Sequence, residues 1–248
     1  MIGENTDYND GLVLPAALDL ATYVTASVRD DRRIRVASFD FTDELDLDLD
    51  KPISQVEEAW VRYVIGVGLI LEREGYRLRG ANLLIDGDVP VGEGLSSSAA
   101  LEISTAFALA TLSGHSVDAM KLARIGKSAE HEFAGVRSGI MDQFAPVFGK
   151  KGHALFLYCR SMEWEPISTS RAQFLICNTK TKHELADGEY NERRTECEAT
   201  AAFFGKTSLR DVTLVDLQKS SFDMRENLKK LARHVNSEIA RVEFSVEA

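Results

Sequence analysis

The sequence has few cysteines and no long apolar run. Its three cysteines, Cys159, Cys177 and Cys197, are far apart and lack the C-x-x-C spacing of a metal site. No apolar stretch reaches the length of a membrane span, and the N-terminal residues lack the basic region and apolar core of a signal peptide. We therefore expect a cytoplasmic protein with reduced thiols and no membrane association.

Positive charge is also scarce. The chain carries 29 Lys and Arg against 39 Asp and Glu, which gives a formal net charge of −10 at pH 7. Because a nucleic-acid backbone requires a basic face, this balance disfavours nucleic acid as a partner. A bound nucleotide must instead be held locally, by backbone amides and a metal ion.

The composition, 44% hydrophobic and 27% charged, is that of an ordinary globular protein, and 248 residues suffice for one large domain or two small ones. Residue patterns predict strands at 12–14, 23–28, 33–41, 79–85, 154–158 and 174–178, with a hairpin tip at Asp30 and Asp31. Helical spacing covers residues 55–71, 99–112, 117–133, 190–204 and 215–242. Strands and helices are interleaved, so the predicted fold class is α+β.

Residues 90–100, PVGEGLSSSAA, form a glycine- and serine-rich segment between a predicted strand and a predicted helix. Glycine lets the backbone approach a ligand closely, and the helix start adds free N–H groups and the positive end of its dipole. The segment therefore predicts an anion site for phosphate. It is not a Walker A loop, because no Gly-Lys-[Ser/Thr] closes it. A turn that merely precedes a helix is the alternative.

A second candidate is Asp142, which stands among apolar neighbours in the segment 139–144, GIMDQF. A buried carboxylate is costly unless paired, and such an aspartate can take a proton from a substrate hydroxyl or orient that hydroxyl. Stabilisation of a helix N-terminus is the alternative. Upstream, Glu130 and His131 lie late in a predicted helix, where a surface position is the usual outcome. A glutamate near a phosphate loop can also complete a Mg²⁺ site.

The N-terminal segment 3–11, GENTDYNDG, is dense in short polar side chains. A capped turn would explain this composition. Binding of a hydroxyl-rich ligand would explain it as well, because each carboxylate accepts several hydroxyl hydrogen bonds, as a sugar requires.

Together these segments resemble the galactokinases of the GHMP small-molecule kinase family. Residues 3–11, 90–100, 135–143 and 189–194 carry the resemblance, 149–155 add to it, and their order and spacing fit from Ile2 to about Val242. The resemblance implies the GHMP kinase fold: an N-terminal domain of the ribosomal protein S5 domain 2-like type at residues 1–165, which binds ATP and sugar, and the beginning of a second α+β domain at 166–248.

The resemblance also implies an activity, the ATP-dependent phosphorylation of the anomeric hydroxyl of galactose, with ATP and Mg²⁺ as cofactors. Asp142 would be the catalytic base or the orienting carboxylate, and Ser98 and Glu130 would hold Mg²⁺. Galactose would contact Glu4, Asn5, Thr6, Asp7 and Tyr190. ATP would contact Ser38, Trp60, Gly92, Glu93, Gly94, Leu95, Ser96, Ser97 and Ser98.

The sequence departs from the family pattern in several places. Asn5 stands where galactokinases usually carry His, and Ser138 replaces a frequent Cys. The family signature has Arg-Val-Asn-Leu ahead of Ile-Gly-Glu, and a Met-Thr-Gly-Gly-Gly-Phe-Gly type of loop near its C-terminus; neither is found in this sequence. We therefore expect a chain without the extreme N-terminus and most of the C-terminal domain, monomeric if complete and able to self-associate through the surface left by truncation.

Three alternatives remain open at this stage. The first is a kinase for another hexose or an amino-sugar, for which Asn5 leaves room. The second is a non-catalytic sensor of galactose and ATP that works by protein contact. The third is a fragment without a function of its own.

Overall fold

A computed structural model describes residues 2–51, 59–169, 173–178, 188–219 and 225–247. Its strands are β1 (Leu12–Val13), β2 (Thr22–Arg29), β3 (Arg33–Ser38), β4 (Leu45–Asp48), β5 (Gly80–Gly87), β6 (His153–Tyr158) and β7 (Trp164–Ser168). Its α-helices are α1 (Ala59–Arg73), α2 (Ser97–Leu112), α3 (Ala119–Ala129), α4 (Met141–Phe148), α5 (Glu189–Phe203), α6 (Leu214–Lys219) and α7 (Glu226–Glu247). A π-helical turn, Glu130–Ala134, continues α3, and short 3-10 turns occupy Asp7–Asn9 and Leu209–Asp211.

A four-stranded sheet of order β2-β5-β3-β4 supports one side of the molecule. β5 pairs antiparallel with β2 and parallel with β3, so it lies between them. The predicted hairpin at Asp30 and Asp31 is therefore wrong, although the chain does turn there. The turn passes close over the start of β5, where a Cβ on Gly80 would lie 1.8 Å from the Asp31 carbonyl oxygen.

Three helices cover one face of this sheet. The largest apolar core joins β3 and β5 to α1, α2 and α3, with Ile34, Leu83, Val67, Leu109 and Ile125 among its buried side chains. α2 is apolar nearly all round, as its sequence predicts, because it packs against α1, α3, α4 and β2. This packing fixes the start of α2, and with it the end of the glycine–serine segment, against the sheet.

A second sheet, of order β1-β6-β7, is antiparallel and packs between two layers of helix. One cluster on it contains Phe144 of α4, and another contains Val242 of α7. A further cluster joins α5 and α7 and receives Tyr8 from the N-terminal segment. The N-terminal segment is thus enclosed by elements from both halves of the chain.

Most predicted elements are confirmed within a few residues, and several differ. Residues 174–178 form no strand and are exposed. The strand predicted at 33–41 ends at Ser38, and the single helix predicted at 215–242 is two helices, α6 and α7. Residues 55–58 of the first predicted helix lie outside the described residues. Strands β4 and β7 were not predicted.

The predicted domain boundary after residue 165 falls inside β7 (Trp164–Ser168), and the division into two domains stays a prediction. In the part of the chain that the structure describes, no helix is both long enough and apolar enough to cross a bilayer.

Candidate active site

A cavity of about 340 Å³ opens between the four-stranded sheet and the starts of α1 and α2. It brings together residues that are far apart in sequence. Among those lining it are Ser38, Phe41, Trp60, Tyr63, Asp86, Gly92, Gly94, Ser96, Ser97, Ser98 and Asp142.

The glycine–serine segment forms one wall of the cavity. Gly92 and Gly94 have φ angles of 72° and 77°, in the left-handed region that glycine adopts readily. Ser96 is also left-handed, at φ 56°, and the helix α2 begins directly after it. The first N–H groups of a helix have no partner within it, so this wall offers donors and a positive dipole end to an anion.

The far end of the cavity carries an aromatic pair. The ring of Trp60 stacks on Phe41, with centroids 5.1 Å apart and planes 6° from parallel. Its indole Nε1 is buried and has no hydrogen-bond partner among the described residues. A flat apolar surface with an unused donor suits a planar heterocycle that presents an acceptor, such as a nucleotide base.

Glu130 lies beside the start of α2 and is not on the surface, since its exposed fraction is 3%. Its Oε1 accepts a hydrogen bond from Ser98 Oγ at 3.2 Å, and its Oε2 accepts bonds from Ser138 Oγ and Gln143 Nε2. Burial outweighs these donors and raises the pKa of the Glu130 carboxyl. The surface position that the sequence alone favoured for Glu130 is therefore wrong.

Ser98 and Glu130 fit a Mg²⁺ ion that is also bound by phosphate. Ser98 offers a hydroxyl at the cavity wall, and the buried Glu130 carboxylate lies 3.2 Å behind that hydroxyl. No Lys, Arg or His of the described residues forms an ion pair with Glu130. The described residues contain no group of three or more His, Cys, Asp or Glu side chains placed to hold a metal. Mg²⁺ typically takes few protein oxygens and completes its shell with phosphate and water.

Behind Glu130 lies a second buried carboxyl that the sequence analysis did not single out. Glu102 of α2 is fully buried, and its Oε2 accepts a hydrogen bond from Gln143 Nε2 at 2.9 Å. The same amide nitrogen donates to Glu130 at 3.0 Å, so Gln143 bridges the two carboxyls. Burial, reinforced by the charge of Glu130, raises the pKa of Glu102 well above its usual range.

Asp142 enters the cavity from the first turn of α4. Burial and the nearby charge of Asp7 raise its pKa to about 6, against the opposing effect of a hydrogen bond with Ser96. Asp142 therefore lies where the glycine–serine segment and the N-terminal segment meet.

Asp7 is held rigidly on the N-terminal side. Its Oδ1 accepts the Tyr8 N–H at 2.9 Å, and its Oδ2 accepts the Met141 N–H at 3.3 Å. Burial raises its pKa despite these two donors. The carboxylate also lies against Gly139, where an added Cβ would be 1.7 Å from Asp7 Oδ2. Gly139 is therefore required for this placement.

Two tyrosines complete the N-terminal side. Tyr190 of α5 meets Tyr8 edge to face at 5.5 Å, and burial followed by the charge of Asp7 raises its pKa. Tyr8 donates its hydroxyl proton to Asn5 Oδ1 at 2.8 Å. Asn5 itself has a left-handed φ of 62°, a conformation that asparagine tolerates better than most residues.

The other predicted site residues differ in their surroundings. Glu4 is exposed. Thr6 is fully buried, and its hydroxyl lies 2.7 Å from the carbonyl oxygens of Gly3 and Leu12, a position suited to holding the segment together. Glu93 and Leu95 do not line the cavity, and Glu93 accepts a hydrogen bond from Asn178.

Two family models match the chain. The model described as GHMP kinases N terminal domain matches residues 62–150, and the galactokinase galactose-binding signature matches residues 1–28. Galactokinases from Chloroflexus aggregans and Chloroflexus aurantiacus are 43% and 42% identical to the chain over its whole length, which covers 65% of each protein. The crystal structure of Lactococcus lactis galactokinase complexed with galactose matches with a TM-score of 0.90 at 32% identity and covers 100% of this chain, which spans 66% of that one.

The fold, and the domain that contains the glycine–serine segment, are those of the GHMP kinases, small-molecule kinases that share this N-terminal domain. Within these kinases, the chain belongs to the galactokinase family. It spans about 65% of the length of the curated galactokinases that it matches.

Proposed function

We propose that the chain carries the ATP and galactose sites of a galactokinase, which transfers the terminal phosphoryl group of ATP to the anomeric hydroxyl of galactose. The observation that carries this proposal is the position of Asp142. It lines the cavity together with Ser96, Ser97 and Ser98, and it lies close enough to Asp7 for that charge to raise its pKa. One carboxylate thus faces both the proposed phosphate site and the proposed sugar site.

The proposed nucleotide site uses the described cavity. The Trp60–Phe41 pair receives the base, and the backbone of the segment from Gly92 to Ser98 binds the phosphates through its N–H groups. Ser98 and Glu130 hold Mg²⁺, which neutralises charge on the phosphates. Phosphoryl transfer depends mainly on such positioning and charge stabilisation.

The proposed sugar site uses the N-terminal segment. Glu4, Asn5, Asp7 and Tyr190 bind galactose hydroxyls, whereas Thr6 stabilises the segment from within. Asp142 accepts the proton of the anomeric hydroxyl, or orients that hydroxyl for attack. A pKa of about 6 leaves Asp142 mostly ionised at pH 7, as a proton acceptor must be.

A cytoplasmic location and a monomeric state accompany this proposal as predictions. The cysteines Cys159, Cys177 and Cys197 are all free, which is consistent with a reducing compartment.

The proposal is tested by mass-spectrometric detection of hexose 1-phosphate after incubation of the purified chain with Mg·ATP and galactose. Asp142→Asn is the test variant, and Asp19→Asn, which makes the same change at an exposed side chain, is the control. We expect product from the unaltered chain and the control, and none from Asp142→Asn. Binding of galactose and ATP by a folded chain without product would overturn the catalytic proposal and favour the sensor alternative. Product with another hexose and none with galactose would correct the substrate.

A further inference from the structure

The last helix described, α7, forms hydrogen bonds with the backbone of the N-terminal segment. On α7, Glu238 Oε1 accepts the Gly3 N–H at 2.9 Å and the Glu4 N–H at 3.3 Å. Four residues earlier on the same helix, His234 Nε2–H donates to the Glu4 carbonyl oxygen at 2.9 Å. Both peptide groups that flank Glu4 are therefore bonded to α7.

This contact is built into the packing of α7. Glu238 is buried, with an exposed fraction of 6%, and Arg241 one turn later pairs with its other carboxylate oxygen. Burial alone would raise the pKa of Glu238, but the Gly3 N–H and Arg241 outweigh it and lower the pKa. The carboxylate is therefore ionised and is a strong acceptor for the two amides.

The backbone that α7 holds has an unusual conformation. Gly3 has φ 112°, and an added Cβ there would lie 2.8 Å from Val13 Cα, while Asn5 is left-handed at φ 62°. Glycine adopts a positive φ readily, but a left-handed residue other than glycine costs free energy and persists where neighbouring groups stabilise it. Apolar contacts of Ile239 and Val242 hold α7 against β1. The helix is therefore fixed in a position from which it can stabilise the backbone of the N-terminal segment.

We propose that Glu238 and His234 are positioning residues for the proposed galactose site, because they fix the peptide groups on either side of Glu4 and so set the direction of the Glu4 and Asn5 side chains. This inference rests on the proposed function, since it assigns those side chains to the sugar. It links a helix near the C-terminal end of the described residues to ligand binding at the opposite end of the sequence.

A positioning role and a purely structural role differ in their effects on the two ligands. Loss of the Glu238 acceptor leaves a buried amide unpaired and releases the Glu4 backbone, so galactose binding should weaken. The cavity lined by Trp60 and Ser98 shares no hydrogen bond with α7 among the described residues, so nucleotide binding should not change. A general loss of fold would weaken both.

The test measures galactose and Mg·ADP binding by isothermal titration calorimetry. The variants are Glu238→Ala, Glu238→Gln, His234→Ala, and Glu243→Ala as an exposed control on the same helix. We expect the galactose Kd to rise about tenfold in Glu238→Ala and several-fold in His234→Ala, with the Mg·ADP Kd unchanged. Glu238→Gln retains a carbonyl acceptor for Gly3, so it should recover most of the affinity.

The outcomes separate the two proposals. Equal galactose Kd values in the unaltered chain, Glu238→Ala and His234→Ala would overturn the positioning role and leave the proposed function intact. A proportional weakening of galactose and Mg·ADP in Glu238→Ala, without recovery in Glu238→Gln, would assign these residues to stability alone. No galactose binding by the folded, unaltered chain would overturn the proposed function and this inference with it.

Discussion

The hydroxyl of Ser98 donates a hydrogen bond to Oε1 of Glu130 across 3.2 Å, and this bond joins the first turn of α2 to the end of α3. The oxygen of Ser98 keeps its lone pairs available while its proton is directed away from the cavity. In the proposed function this geometry orients both side chains for one cation beside the glycine–serine segment, and the carboxylate has no basic partner among the described residues.

Glu130→Gln is expected to weaken the binding of Mg²⁺ specifically. The substitution keeps the shape of the side chain but removes the charge that would bind the ion. We expect the Mg²⁺ concentration for half-maximal activity to rise at least about tenfold, with galactose affinity unchanged.

The matched control is Glu132→Gln, two residues further along the π-helical turn. Glu132 is exposed and forms an ion pair with Arg73. Exposed ion pairs contribute little to the stability of a protein, so the control substitution should leave the fold unchanged. If Glu130→Gln and the control have the same Mg²⁺ requirement, Glu130 is not a ligand.

The acid limb of the pH–rate profile should report the protonation of Asp142. Burial and the charge of Asp7 raise its pKa to about 6, so protonation would remove the base as the pH falls through this value. We expect kcat/KM for galactose to decline about tenfold per pH unit below pH 6. In Asp7→Asn the neighbouring charge is absent, and the limb should move to lower pH even though the plateau is reduced. A limb that stays in place in Asp7→Asn would contradict the assignment to Asp142.

The free energy of unfolding of Glu102→Gln, compared with that of the unaltered chain, should increase as the pH rises. Burial raises the pKa of Glu102 in the folded state, so above the unfolded value of 4.5 the folded state retains a proton that the unfolded state has lost. The free energy of unfolding then falls with increasing pH, by at most about 1.4 kcal/mol per unit. The amide of the variant has no such proton to lose.

Urea unfolding at pH 5 and pH 8 measures this difference. The stability of Glu102→Gln minus that of the unaltered chain should be larger at pH 8, whereas the exposed substitution Glu165→Gln should show no such change. A difference that is the same at both pH values would mean that Glu102 is ionised in the folded protein.

The sequence predicts local chemistry better than long-range pairing. The glycine–serine segment and Asp142 were found because their residue types carry the chemistry within a few positions. The hairpin at Asp30 and Asp31 was wrong because β5, about fifty residues later, inserts between β2 and β3. Nothing local to that turn indicates which strand will be its neighbour.

The missed strands are both sheet edges. β7 contains Pro166, which a central strand would not tolerate, and within the described part of the chain it pairs only with β6. β4 alternates leucine with aspartate, and Asp46 and Asp48 are paired with Arg33 on the neighbouring strand. Leu45 and Leu47 pack on the apolar core, but β4 has no β-branched or aromatic residue to mark it as a strand.

The buried polar cluster could not be predicted from the sequence for a different reason. Glu102 lies in an otherwise apolar helix, and Gln143 follows Asp142 with no pattern to distinguish it. Only the packing of α2 against α4 brings the two side chains within 2.9 Å. The same holds for Glu238, whose partner Gly3 is 235 residues away in the sequence.

Gly139→Ala should damage the proposed sugar site while leaving the fold nearly unchanged. The added Cβ would lie 1.7 Å from Asp7 Oδ2, and the overlapping atoms belong to a side chain, so the carboxylate must move while the backbone can keep its path. This movement breaks the bond from the Met141 N–H and withdraws the carboxylate from its position beside Asp142. We expect galactose affinity to fall at least about tenfold, with a change in Tm of only a few degrees. Gly68→Ala is the control, because its Cβ would meet Ile34 Cδ1 at 3.6 Å and Leu109 Cδ1 at 4.0 Å, which are both ordinary contacts. If Gly139→Ala binds galactose as tightly as Gly68→Ala does, Asp7 does not contact the sugar.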